Sequence, residues 1–236
     1  MIDFPNIAIG LVTYKRTELA LRTIYSTCRN LLYPKEKRWW YIGDDGSPGD
    51  HLGRILHTLS VHGENVLGFH SERIRHPGQE ETHNAGLGWN RTLGICHQFS
   101  DFVLFLEDDW DLDEPLDLKP HIQMLHENER VGICSFRILS TDADVFTQGY
   151  NGRMYLQYER RTQYAFSGNP YLRHARYTNK YGWFAEDRNP GLMELDQDDR
   201  YRTAQGGDEE YPRIWRPADI SVWGAWKHIG TEKSWS

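Results

Sequence analysis

In the first half of the chain, apolar residues fall in short unbroken runs, with helical spacing between the runs. Ile7 to Thr13 (IAIGLVT) is such a run and predicts a strand buried on both faces. Thr17 to Leu31 places Leu19, Leu21, Ile24 and Leu31 near one side and predicts a helix. Trp39 to Ile42 predicts a second strand, stopped by Gly43-Asp44-Asp45-Gly46-Ser47. Asp50 is placed to cap a helix reaching about Val61, with Leu52, Ile55, Leu56 and Leu59 on one face. Val66 to His70 predicts a third strand, Gly86 to Phe99 a helix able to approach the sheet closely, and Phe102 to Leu106 a fourth strand. Alternating strands and helices predict parallel strands with helices on both faces.

The pattern changes after about Pro115. Leu118 to Glu129 predicts a helix, Val131 to Leu139 a strand, and Tyr150 to Phe166 two short strands rich in Tyr and Arg. From Ser167 onward the chain reads as loop-rich, punctuated by Pro170, Pro190, Pro212 and Pro217. Long irregular segments in a compact domain are usually functional.

The fourth strand runs straight into Glu107, Asp108 and Asp109. Ligands of open α/β sheets bind outside the carboxyl ends of the strands. Three carboxylates there repel one another unless a cation offsets them, and Mg²⁺ or Mn²⁺ with a diphosphate is the fitting ligand. A polar turn or helix start is the alternative for this stretch taken alone. Two more strand ends carry chemistry: Thr13-Tyr14-Lys15-Arg16, with cations to balance a diphosphate, and Asp44-Asp45, with acceptors for a base N–H or a ribose hydroxyl.

Composition narrows this further. The 236 residues suit one large domain with a full core. A net charge of −7 excludes a generally nucleic-acid-coating surface but allows a local basic patch. Three cysteines, Cys28, Cys96 and Cys134, lack metal-type spacing and point to reduced thiols in a cytoplasmic protein. No apolar run approaches the roughly 20 residues of a membrane span, and Met1 to Gly10 carries no signal-peptide pattern.

Four pieces, IAIGLVTYKR, YIGDDGS, NAGLGWNRTLG and FVLFLEDD, stand in an order and spacing that resemble the inverting family 2 glycosyltransferases of GT-A fold. The resemblance covers Ile7 to Asp113. It implies a Rossmann-like, mostly parallel α/β sheet in a single domain of residues 1–236, with 1–114 binding the nucleotide sugar and 115–236 the acceptor. It implies a UDP-linked donor and Mn²⁺ or Mg²⁺. Thr13, Tyr14, Arg16, Asp44, Asp45, Asn84, Gly86, Asn90 and Asp108 would serve the nucleotide. Glu107 and Asp109 match the outer carboxylates of the family's D-x-D pattern, with Glu107 departing from the usual Asp. His228-Ile229-Gly230 resembles a C-terminal His-x-Gly in which the His completes the metal shell. Ser167, Gly168 and Asn169 resemble the segment lining donor sugar and acceptor, and Arg173 follows in the acceptor region.

Inverting transfer needs a general base within about 3 Å of the acceptor hydroxyl. Glu194, after the apolar pair Leu192-Met193, is the first candidate and Asp187 the second. Between Arg153 and Lys180 six basic side chains face one acid and alternate with tyrosines, which suits a phosphate-bearing acceptor such as modified DNA or an acidic glycan. The rival readings are a sugar nucleotidyltransferase, disfavoured because Gly10 to Lys15 lacks repeated glycines, and a non-catalytic sugar- or nucleotide-binding module.

Overall fold

The structure, a computed structural model, describes residues 4–72, 85–136, 145–158, 165–166, 168, 170–204 and 212–230. In chain order the elements are β1 (Ile7–Thr13), α1 (Thr17–Asn30), β2 (Leu31–Leu32), β3 (Arg38–Asp44), α2 (His51–Val61), β4 (Asn65–Ser71), α3 (Ala85–Phe99), β5 (Phe102–Glu107), β6 (Trp110–Leu112) and β7 (Leu116–Asp117). There follow α4 (Lys119–Glu127), β8 (Val131–Ser135), β9 (Val145–Tyr150), β10 (Arg153–Tyr158), β11 (Tyr171–His174), α5 (Ala175–Tyr181), α6 (Pro190–Thr203), β12 (Arg213–Pro217), α7 (Ile220–Trp223) and β13 (Trp226–His228).

One nine-stranded sheet runs through both halves of the chain in the order β4-β3-β1-β5-β11-β8-β12-β10-β9. β4, β3, β1 and β5 are parallel, as the βα alternation requires. β11 then inserts antiparallel between β5 and β8, and the hairpin β9–β10 closes the far edge. Side chains alternate across β1. Ile7, Ile9 and Leu11 join one apolar layer with Ile24 of α1, Ile55 of α2 and Ile122 of α4. Ala8 and Val12 join the other, with Trp89 and Leu93 of α3, Tyr177 of α5 and Met193 of α6. Gly10 lets α3 close onto the sheet, since a Cβ there would lie 3.1 Å from Thr92 and 3.3 Å from Cys96.

Two sequence expectations change. The segment read as loop-rich after Ser167 contains α5 and α6. The buried residues of α6 are Met193, Gln197, Asp198 and Tyr201, so half its inner face is polar and no apolar stripe marks it. Asp50 does stand at the N-cap of α2, but its side chain makes no capping hydrogen bond. Among the described residues no helix is long and apolar enough to cross a membrane.

Candidate active site

The sheet register brings the three chemical strand ends side by side. Thr13 pairs with Asp44, and Val12 pairs with Glu107. Adjacent strands lie about 4.8 Å apart, so the residues just beyond these ends share one edge. The Asp45 N–H donates to the Thr13 carbonyl at 3.0 Å, which holds the second loop against the first. Lys15 turns the first loop with φ 61°, an uncommon conformation for a residue with a Cβ, and its N–H donates to Ser47 Oγ at 2.7 Å.

Around β5's end the carboxylates are divided by partner. Asp108 is buried; Thr13 Oγ1 donates to its Oδ2 at 2.8 Å, the Tyr14 N–H donates to the same oxygen at 3.2 Å, and Arg16 pairs with Oδ1. Burial pushes the Asp108 carboxyl up to about 6, with Arg16, Thr13 and Tyr14 holding it back. Burial also works against the Arg16 guanidinium, but the charges of Asp108 and Asp109 outweigh it and raise its pKa. Glu107 is pushed well above the ordinary carboxylate range, first by desolvation and then by Glu194, Asp109 and Asp108.

The two oxygens of the Asp109 carboxylate differ in their surroundings. Oδ2 accepts from Arg16 at 2.7 Å and lies 3.3 Å from His228 Nε2. Oδ1 is buried with no hydrogen-bond partner among the described residues, an arrangement that costs free energy unless something takes it up. The antiparallel pair β6–β13 delivers His228 opposite Trp110, whose ring centre lies 5.1 Å from the imidazole's. The Ile229 N–H donates to the Asp109 carbonyl at 2.9 Å. Gly230 belongs to the same closure, since a Cβ there would fall 2.5 Å from Asp109 Oδ2. This donor set, carboxylate oxygen and imidazole, fits a divalent cation that draws further oxygens from a ligand. The described residues alone offer no group of three or more metal-ligating side chains.

Other predicted site residues are committed inside the protein. The buried Asp44 carboxylate accepts from the Ser47 N–H at 3.1 Å and from the hydroxyls of Ser47 and Ser71, so the half-exposed Asp45 is the more accessible of the pair. Asn90 donates to the Phe184 carbonyl and to Glu186, each at 2.9 Å, and accepts from the Phe184 N–H at 2.8 Å. Gly86 faces the same loop; a Cβ there would fall 2.2 Å from the Ala185 carbonyl oxygen. Both therefore anchor the 184–186 loop through the start of α3. That helix leads into β5, so its first turns lie at the sheet's carboxyl edge.

Glu194 accepts a hydrogen bond from the Gly168 N–H, and its charge bears on Glu107 and Tyr171. Asp187 lies on the exposed rim of the anchored loop, with its side chain 72% exposed and Arg188 3.9 Å away. Arg173 is a correction. β11 runs antiparallel to β5 with Arg173 opposite Val103, behind the strand end, and the side chain is buried against Tyr177 and bonded to Thr178 at 2.9 Å. It cannot meet an acceptor. Asn84, Ser167 and Asn169 lie outside the described residues. Sequence reasoning passed over His51, whose contacts are with residues far along the chain.

The glycosyl transferase family 2 profile matches residues 8–177. The chain belongs to that family. No curated protein sequence matches it. Among solved structures, the S. aureus TarS fragment 1–349 in complex with UDP superposes with TM-score 0.60 at 14% identity, over 89% of this chain and 60% of that one. The same TarS fragment with UDP-GlcNAc gives 0.56 at 13% identity, over 97% and 61%. The mannosyltransferase PcManGT from Pyrobaculum calidifontis, in complex with GDP-Man and Mn²⁺, gives 0.50 at 12% identity, over 80% and 51%. The family 2 chain thus has the GT-A fold and spans about 60% of the TarS fragment's length, or 36% of a longer TarS chain.

Proposed function

We propose that this family 2 chain transfers a sugar from a UDP-linked donor to an acceptor hydroxyl with inversion. The observation that carries the reading is the buried Asp109 Oδ1, without a hydrogen-bond partner among the described residues, on the same sheet edge as Asp45. Asp45 would accept from the uracil or ribose, and Arg16 would balance the diphosphate. Asp109 and His228 would hold Mn²⁺ or Mg²⁺, with Glu107 beside them. When bound, that ion stabilises the charge of the departing diphosphate. The family neighbours crystallised with UDP, UDP-GlcNAc and GDP-Man with Mn²⁺ support a nucleotide-sugar donor.

As the acceptor oxygen attacks the anomeric carbon, its proton passes to a carboxylate and the bond to the diphosphate breaks. Glu194 is the base in this reading, because it lies against the acidic strand end. Asp187 is the second candidate, favoured by its exposure on a loop that Asn90 pins at the same edge. The acceptor is a hydroxyl compound. A phosphate-bearing acceptor such as modified DNA has less support than the local charge promised, since Arg173 is buried and Arg176 donates to the carbonyls of Asn128 and Val131.

Calorimetric titration with UDP tests the donor site. Binding should require Mn²⁺ or Mg²⁺ and vanish in Asp109→Ala. Metal-independent binding of sugar alone would instead favour a non-catalytic module. Glu194→Gln should keep UDP affinity and abolish transfer; if it stays active while Asp187→Asn is dead, Asp187 is the base.

A further inference from the structure

His51, at the first turn of α2, is buried at 2% exposure and touches three other elements. Its Nε2 lies 3.0 Å from Thr13 Oγ1 at the end of β1, and its Nδ1 lies 2.8 Å from Thr17 Oγ1 at the start of α1. Asp44 Oδ1, at the end of β3, is 3.9 Å from Nε2. The charged groups that bear on the ring are Asp44 and Arg54; burial, joined by Arg54, outweighs Asp44 and holds the imidazole below its ordinary pKa, so it is neutral at pH 7.

A neutral imidazole has one ring proton, and its neighbours decide where it sits. Asp108 accepts on both oxygens, from Arg16 on Oδ1 and from the Tyr14 N–H and the Thr13 hydroxyl on Oδ2. The single proton of the Thr13 hydroxyl therefore points at Asp108. Thr13 Oγ1 can then only accept from His51, which places the ring proton on Nε2. Nδ1 is left bare and accepts the Thr17 hydroxyl proton. The opposite tautomer would leave the 2.8 Å contact between Thr13 and Asp108 without a proton.

We propose that His51 is a positioning residue for donor binding: as the Nε2–H tautomer it fixes the direction of a hydrogen-bond chain from Thr17 through His51 and Thr13 to Asp108, and so holds Asp108 and its partner Arg16 in place beside Asp109. The proposal rests on the reading of this edge as a nucleotide-sugar site. Without the Nε2 donor the Thr13 hydroxyl is free to turn away, and Asp108 loses a hydrogen bond to an ionised oxygen.

Two substitutions separate this role from packing. In His51→Gln the side-chain amide reaches about as far as Nε2 and can still donate to Thr13. In His51→Asn the amide reaches only as far as Nδ1, so it can satisfy Thr17 but not Thr13. His51→Asn should weaken Mn²⁺-dependent UDP binding about tenfold or more, the size of one hydrogen bond to a charged group, with His51→Gln restoring most of it. Imidazole nitrogen NMR of the ligand-free protein should show a protonated Nε2 and a bare Nδ1. Thermal unfolding of His51→Asn, Thr13→Val and the double variant should be strongly non-additive. A protonated Nδ1, equal UDP affinities for the Asn and Gln variants, or additive stabilities would overturn the proposal. The NMR and the thermal cycle need no ligand, so failure of the unsubstituted protein to bind UDP sinks the donor reading without deciding the hydrogen-bond chain.

Discussion

At the scale of single residues, closeness to Asp109 is the constraint with the sharpest consequence. Gly230 has room for no side chain, because a Cβ would sit 2.5 Å from Asp109 Oδ2 and 2.9 Å from its Cβ. Arg16 and His228 already fix that carboxylate, so Gly230→Ala must displace either Asp109 or the β13 tail. Mn²⁺-dependent UDP affinity is expected to fall at least about tenfold while global stability changes by less than about 1 kcal/mol, since β13 belongs to a two-stranded pair with β6 outside the main sheet. Titration calorimetry and a urea curve check both halves; undiminished affinity would mean that Asp109 does not hold the ion. The placement of Asp45 and Asp109 just past strand ends was legible in the sequence because carboxylates directly after a buried apolar run stand where the strand leaves the sheet. Arg173 was not. Its basic, aromatic neighbourhood reads as a surface, and only the pairing of β11 with β5 and β8 shows that it is interior.

Elements carry the next constraint, the closeness of α3 to the 184–186 loop. Alanine is the better helix former by about 1 kcal/mol, so Gly→Ala inside α3 should stabilise wherever there is room. At Gly88 a Cβ would meet nothing within 4 Å among the described residues, whereas at Gly86 it would lie 2.2 Å from the Ala185 carbonyl oxygen. Backbone has to move in the second case, at a cost of about 1–3 kcal/mol that outweighs the propensity gain. Gly88→Ala should therefore raise the urea midpoint. Gly86→Ala should lower it and reduce sugar transfer more than UDP binding, because the shifted loop carries Glu186 and Asp187. Equal midpoints for the two variants would contradict the packing. The strand–helix alternation of the first half was legible because βα units declare themselves locally. α6 was hidden by its half-polar inner face, although Asn189-Pro190 was a usable start signal: Asn189 accepts from the Leu192 N–H at 3.0 Å and Pro190 follows it. The insertion of β11 between β5 and β8 had no local signature, since it depends on pairing across some 65 residues of chain.

For the whole molecule, a nine-stranded sheet covered on both faces buries titratable imidazoles, and these contribute to its response to acid. His121 of α4 is buried beneath the β9–β10 hairpin, with Nδ1 3.1 Å from the Tyr155 hydroxyl. Burial, helped by the charge of Arg153, holds its pKa down at about 3. His70, buried beside Tyr41, is held at about 4 by burial and Arg91. The unfolded chain protonates these imidazoles near the ordinary value of 6.5 and the folded one does not, so the stability they contribute is complete above about pH 6.5 and is lost as pH falls toward 4 and 3. Asp108, held up at about 6, has the opposite sign: it favours the folded state on acidification, between about pH 6 and pH 4. Comparing two proteins that share Asp108 cancels that contribution. His121→Asn can keep a hydrogen bond to Tyr155 while removing the titration. Relative to the parent, it should therefore gain about 2 kcal/mol between pH 7.5 and pH 5, near 1.4 kcal/mol per pH unit once below 6.5. Urea unfolding at half-unit pH steps measures the difference, and curves that stay parallel across that range would show that His121 takes up its proton in the folded protein as readily as in the unfolded one.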